Sequence, residues 1–213
     1  GHLIIASMAA FVLAKYDFPG GKTFFRLVTV AMMFSGYVTA IPNYLIINAL
    51  GWVDTYWAII IPAFASPMGL FLMKQFMEGL PTSLIEAAKI DGASELQTFF
   101  KIVMPLSKPV IATISLLTLL SRWNDWNTAL IYIKSSNLYS LQYLLQKILR
   151  EAEFVKNMAE SSPVAGVDLD LSNLPSVTIR FAMCMVAAGP MLIIFPFFQK
   201  YFAKGLTVGA VKG

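Results

Sequence analysis

Five apolar runs, at 3–14, 24–50, 56–77, 110–133 and 177–202, leave this chain of 213 residues little choice of solvent. One helical crossing of a bilayer core takes about 20 consecutive apolar residues, so the length has room for about five crossings with their connections. The charge content agrees. Only 13% of residues are Asp, Glu, Lys or Arg against 57% hydrophobic, whereas a soluble domain carries about 25% charged residues. The expected fold is all-α: a polytopic membrane helix bundle forming a single domain over 1–213. The 3–14 run is too short for a full crossing and lacks a signal peptide's basic start and cleavage site. It reads as the tail of a span, and the chain as N-terminally truncated. The formal charge of +4 comes from dispersed basic residues, which gives no stripe for nucleic acid.

The apolar pattern is broken most sharply at 83–105, SLIEAAKIDGASELQTFFKIVMP. Ser83 with Glu86, and Ser94 with Gln97, have the spacing of capping boxes. Between them, Asp91-Gly92 predicts a helix end, because glycine enters the left-handed region without a Cβ clash. Pro105 predicts that Met104 leaves helical geometry. The stretch therefore reads as two short helices joined at a hinge. Isolated helices below about 12–15 residues are marginal in water, so both need a surface to dock against.

Glu86-Ala87-Ala88, then Gly92, Ile102 and Pro105 at fixed spacing, resembles the EAA loop of the membrane subunits of binding-protein-dependent ABC importers. Asp91, Ala93 and Phe99 are similar to the carbohydrate-uptake branch, the second permease of maltose-type systems. Met104 stands where leucine is usual, a conservative apolar change. The resemblance implies that Glu86, Ala87, Ala88, Asp91, Gly92, Ile102 and Pro105 couple to ATPase subunits. It also implies a second permease, two ATP-binding subunits holding ATP and Mg²⁺, and an extracytoplasmic solute-binding protein delivering a sugar or oligosaccharide. No cofactor is expected on this chain itself. No GxxxxGK[ST] phosphate loop occurs in it, so the energy must come from a partner.

Counting lysines and arginines gives the orientation. Ten basic residues, among them Lys15, Lys22, Arg26, Lys74, Lys89, Lys101 and Lys108, fall on the side of 83–105, and five, including Lys134, Lys147 and Arg150, fall on the other. That bias places 83–105 and the C-terminus in the cytoplasm, the side the resemblance also implies. The location is then a bacterial cytoplasmic membrane, with 134–176 extracytoplasmic. The prolines at 42, 62 and 67 are expected to kink their spans rather than end them.

The fourth run carries Ser121-Arg122-Trp123-Asn124-Asp125-Trp126-Asn127-Thr128 near its middle. Charged groups there cost about 2.5–3.5 kcal/mol on insertion scales, so they face protein or water. On one continuous helix Ser121, Asn124, Asp125 and Thr128 share a face and Trp123, Trp126 and Leu130 lie opposite. Arg122 and Asp125 can partly neutralise each other. Arg122, Trp123, Asn124, Asp125 and Asn127 are the candidate solute-pathway residues. A tryptophan belt at the interface with helix–helix hydrogen bonds explains them equally well.

Beyond Lys134, Leu138, Leu141, Leu144, Leu145, Ile148 and Leu149 repeat at helical spacing opposite Gln142, Lys147 and Arg150. This predicts an amphipathic helix on the membrane or under a partner, followed by an irregular loop at 161–175. The single cysteine, Cys184, is expected to be buried packing, and His2 alone leaves no pair for a metal site or a histidine-based triad. An ATP-independent secondary transporter or channel for a small polar solute is the alternative. It would call for inverted repeats or paired broken helices, which are not apparent, and it gives no reason for the 86–105 spacing.

Overall fold

The computed structural model describes residues 1–161 and 176–210, and all regular structure among them is helical. Helix α1 (His2–Lys15) is followed by a turn at Gly20, whose φ of +88° only glycine takes at little cost. Helices α2 (Gly21–Ala31) and α3 (Gly36–Ala49) then form the second apolar run. They meet at 106°. The break lies at 32–35, where the Ser35 hydroxyl caps α3 by accepting from the Tyr37 N–H, and not at Pro42, which sits inside α3. A side-chain cap opens α3 at Ser35, so the expected Pro42 kink gives way to a sharper upstream corner.

The third run is α4 (Trp57–Ile60), a 3-10 turn at Pro62–Phe64, and α5 (Pro67–Glu78). Here the prolines interrupt the helix rather than only kink it, because Ala65 and Ser66 are extended between the turn at Pro62 and a new helix start at Pro67. Pro67 takes the first turn of α5, where its missing N–H costs nothing, and the Ser66 hydroxyl accepts from the Gly69 N–H at 3.2 Å. Together Trp57–Glu78 is long and apolar enough to cross a membrane. The polar interruption forms α6 (Thr82–Ile90), α7 (Glu95–Thr98), a π-helical turn at Phe99–Val103, and α8 (Met104–Leu106). A 75° bend at Ser107 leads into α9 (Lys108–Trp123).

The fourth run is not one helix. It stops at Trp123 and resumes as α10 (Asn127–Tyr132). The single-face arrangement of 121–128 therefore does not form, because Asn124-Asp125-Trp126 breaks the 100° periodicity. After a 3-10 turn at Ser136–Leu138 comes α11 (Leu141–Ser161), the expected amphipathic helix. The last helix, α12 (Ser176–Ala210), contains Pro190 and Pro196 and runs past the apolar run into the basic tail. The loop at 161–175 lies outside the described residues beyond Ser161. Among the described residues, two helices can cross a membrane by length and composition, Trp57–Glu78 and Phe181–Gln199, or up to four if each bent pair is one span. The apolar α1 is shorter, at 14 residues.

Two clusters hold these elements together. One joins α1, α5, the 83–105 stretch and α9 through Ala10, Phe11, Met73, Met77, Ile85, Phe99, Val103 and Ile114. The other joins α3, α4 and α10 through Ile47, Ala58 and Tyr132. Large apolar side chains elsewhere point outward, among them Leu27, Val38, Ile41, Phe181, Met185, Leu192 and Phe197. Cys184 is exposed on α12 rather than buried, since that helix turns most of its apolar surface away from the bundle. A chain with this surface requires an apolar surrounding.

Candidate coupling surface and solute-pathway residues

Helix α6 begins two residues earlier than the Ser83–Glu86 spacing predicts. Pro81 occupies the cap position and supplies no side-chain acceptor, so Ser83 already lies inside the helix and its box does not form. Glu86 is left exposed on the outer face. The other end behaves as the sequence says. Gly92 has φ +75°, the Ala93 N–H donates to Ala88 O at 2.9 Å, and the Gly92 N–H donates to Lys89 O at 3.1 Å. These are the two bonds of a Schellman end, with Asp91 as the exposed C-cap. No heavy atom stands within 4 Å of a Cβ built on Gly92. The glycine is required by its backbone conformation and not by crowding.

The second box forms completely. The Ser94 hydroxyl accepts from Gln97 N–H at 3.3 Å, and Gln97 Oε1 accepts from Ser94 N–H at 3.0 Å. Glu95 follows in the first turn, where a carboxylate suits the helix dipole. Met104 stays helical, with φ −62° and ψ −45°, contrary to the expectation from Pro105. The π turn resolves the conflict. The Met104 N–H reaches back five residues to Phe99 O, which widens the helix where the Pro105 ring would otherwise crowd the preceding turn.

The two helices dock as short helices must. Ile85, Phe99 and Val103 face inward, at 7%, 2% and 1% exposure, against Phe11, Met73 and Met77, and Ala88 is buried beside them at 5%. Ile102 is half-buried. A polar clamp closes the side: Tyr16, from the turn after α1, donates its hydroxyl to the Glu95 carboxylate. Lys89 pairs with the same carboxylate at 3.3 Å and lies over the Tyr16 ring at 4.9 Å. Lys15 donates to Leu80 O at 2.6 Å, fixing the chain between α5 and α6. Nothing in the local sequence singles out Tyr16 or Lys15, because their partners lie more than 60 residues away. The opposite face carries Glu86, Ala87, Asp91 and Pro105 together with the apolar Leu84, Ile90, Leu96 and Phe100. Ile90 is 86% exposed.

The chain matches, over residues 3–208, the family described as binding-protein-dependent transport system inner membrane component. It belongs to that family. Similar proteins include the polygalacturonan/rhamnogalacturonan transport system permease YtcP of Bacillus subtilis, 38% identical over 99% of this chain and 71% of the relative. Protein LplC of the same organism is 40% identical over 100% of this chain and 69% of its own. Among solved structures, a bacterial ABC transporter that imports the acidic polysaccharide alginate superposes with a TM-score of 0.73 at 28% identity. That match covers 94% of this chain and 69% of the other. The chain is thus a transport permease subunit and not an enzyme, and the family also disposes of the ATP-independent alternative.

In this permease the five pathway candidates are dispersed. Arg122 Nη1 and Asp125 Oδ2 pair at 3.3 Å, as their spacing suggests. Asp125 also accepts from the Thr128 N–H at 3.0 Å and from its hydroxyl at 2.6 Å, so it caps α10. Asn124 donates back to Leu120 O at 2.9 Å. Trp123 turns away to donate its indole N–H to Ala187 O of α12 at 2.8 Å, while Trp126 lies beneath Arg150 of α11 at 4.9 Å. Asn127 opens α10 half-buried. The structure does not gather these residues into one polar face.

A further anchor escaped the sequence reading. Gly51, at φ +68°, ends α3 with the same pair of bonds seen at Gly92, the Trp52 N–H to Ile47 O and the Gly51 N–H to Asn48 O, each 3.0 Å. Asp54, with φ +63°, follows it. Its Oδ1 accepts from the Lys134 and Ser135 N–H groups at 2.8 Å each, and Oδ2 accepts from the Ser135 hydroxyl. The Ser135 hydroxyl, then the two N–H groups, hold the Asp54 carboxyl below its ordinary pKa. The anchor ties the α3–α4 turn to the start of the 134–176 connection.

Proposed function

We propose that this permease carries a sugar or oligosaccharide across a bacterial cytoplasmic membrane as one of two permease subunits, powered by two ATP-binding partners that grip the 83–105 stretch. The observation that carries this reading is the two-sidedness of that stretch. Its inner face is packed into the bundle, and its outer face holds exposed Leu84, Ile90, Leu96 and Phe100 ringed by Glu86 and Asp91. An apolar knob with a polar rim is the anatomy of a protein contact.

In this mechanism 83–105 is cytoplasmic, and ATP with Mg²⁺ sits on the partner subunits. Closure of the ATPases drags the knob, and the knob moves α1, α5 and α9 because it shares one packed core with them. The bends at 32–35 and 107 divide the bent pairs into segments that can reorient separately. Each bent pair serves as one crossing, with α1 as a fifth. Helix α11, at the start of the extracytoplasmic 134–176 connection, faces the solute-binding protein. Names of similar proteins support a carbohydrate cargo: polygalacturonan and rhamnogalacturonan for YtcP, arabinooligosaccharides for AraQ of Halalkalibacterium halodurans, and alginate for the solved importer.

The test is uptake in proteoliposomes holding both permeases, the ATPases and the binding protein. Glu86→Lys on the outer face should leave insertion intact and lower binding-protein-stimulated uptake at least tenfold. Unchanged uptake in that variant removes Glu86 from the contact.

A further inference from the structure

A cavity of about 500 Å³ opens between the end of α1, the 16–20 turn, α2 and the last turns of α5. Four cations line it, Lys15, Lys22, Arg26 and Lys74, against two carboxylates, Asp17 and Glu78. Two of the cations are already engaged. Lys74 pairs with Glu78 at 2.8 Å, and Lys15 donates to Leu80 O. Lys22 and Arg26 are exposed, four residues apart on one face of α2, and no carboxylate lies within ion-pair distance of either among the described residues. The N-terminus of α2 adds to the positive field, since no side chain caps it. Beyond Arg26 the surface of α2 becomes apolar, with Leu27 and Val30 at 64% and 48% exposure.

We propose that this cavity binds a phosphate group, and that the group is the headgroup of an anionic phospholipid of the cytoplasmic leaflet whose chains lie along Leu27 and Val30. The inference rests on the reading that places the neighbouring 83–105 stretch in the cytoplasm. Lysine and arginine with no carboxylate partner, at the mouth of a cavity with low-dielectric walls, form charge-assisted bonds to phosphate oxygens. Basic pockets between spans on the cytoplasmic side are where anionic headgroups are held. The contiguous apolar stripe selects a lipid over a free phosphate, which has no use for it. A lipid seated there touches the Lys15–Lys22 turn, and so lies one residue from the Tyr16 hydroxyl that clamps Glu95.

The experiment uses the complete transporter in nanodiscs of phosphatidylcholine with a minor fraction of phosphatidylglycerol. Lipid retained after mild extraction is measured by mass spectrometry. The wild type should enrich phosphatidylglycerol, Lys22→Ala with Arg26→Ala should lower that enrichment about tenfold, and the charge-conserving Lys22→Arg with Arg26→Lys should keep it. Both side chains are exposed, so these variants should fold. Equal enrichment in the alanine pair overturns the site. Displacement of the retained lipid by millimolar inorganic phosphate, or phosphate binding without lipid enrichment, overturns the lipid assignment. Co-purification of the ATPases from the same sample reports on the coupling reading separately, so either can fail alone.

Discussion

The two polar interruptions of this chain, 83–105 and 121–128, are held by different physics. The first is a short motif whose local signals stop and start its helices while distant residues fix its position: Phe11, Met73 and Met77 beneath it, Tyr16 at its side. The second satisfies its polar groups mostly within itself, Arg122 to Asp125, Asp125 to Thr128 and Asn124 to Leu120, and sends its two tryptophans in different directions. The force transmission proposed for the first calls for rigid, non-local anchoring, whereas a helix break needs only its own polar groups met. Reading both from residue type alone treats them alike, and the fold separates them.

The largest expected effect breaks the first region at its hinge. Gly92→Pro forces φ near −65° where the chain needs +75° and removes the N–H that bonds Lys89 O, a loss of about 3 kcal/mol or more. Uptake should vanish while the protein still inserts, as checked by membrane fractionation beside a transport assay. Next comes the contrast between neighbours. Phe99→Ala empties a buried site and should cost about 3–5 kcal/mol in thermal unfolding. Phe100→Ala, on the outer face and 55% exposed, should leave the melting temperature nearly unchanged yet weaken ATPase co-purification. If both variants behave alike, the two-faced description of 83–105 is wrong.

In the second region, Asp125→Ala removes the cap of α10 and should cost about 0.5–2 kcal/mol, with uptake reduced only as far as stability is. A much larger loss of uptake than of stability would return Asp125 to the solute pathway. The smallest effect belongs to pH. The Asp54 carboxyl titrates lower folded than unfolded, so its contribution is present above its unfolded value and disappears as pH falls through its folded one. Melting temperature followed downward from pH 6 should fall more in the wild type than in Asp54→Asn. Parallel curves would show that the anchor does not depend on charge.

Much of the architecture was legible because apolar run length and helix-end chemistry are local. The Ser94–Gln97 box, the Gly92 end and the amphipathic α11 all follow from residues within a turn or two. What misled were competing local signals. Ser83 has capping-box spacing, but Pro81-Thr82 starts the helix two residues sooner, and Pro42 looks like the kink while Ser35 makes the corner. Pro105 reads as a helix breaker until the π turn is seen to absorb it. Tyr16–Glu95 and Asp54–Ser135 had no signal to read, since each joins residues about 80 positions apart.

The central claim is that the outer face of 83–105 is cytoplasmic and covered by the ATPases. A single cysteine at Ala87, introduced into a Cys184→Ser background, tests it most directly with a membrane-impermeant maleimide. Labelling should occur in inside-out vesicles stripped of ATPase, be blocked when the ATPases are restored, and be absent from right-side-out vesicles. Labelling from the outside, or labelling indifferent to the ATPases, would contradict the account.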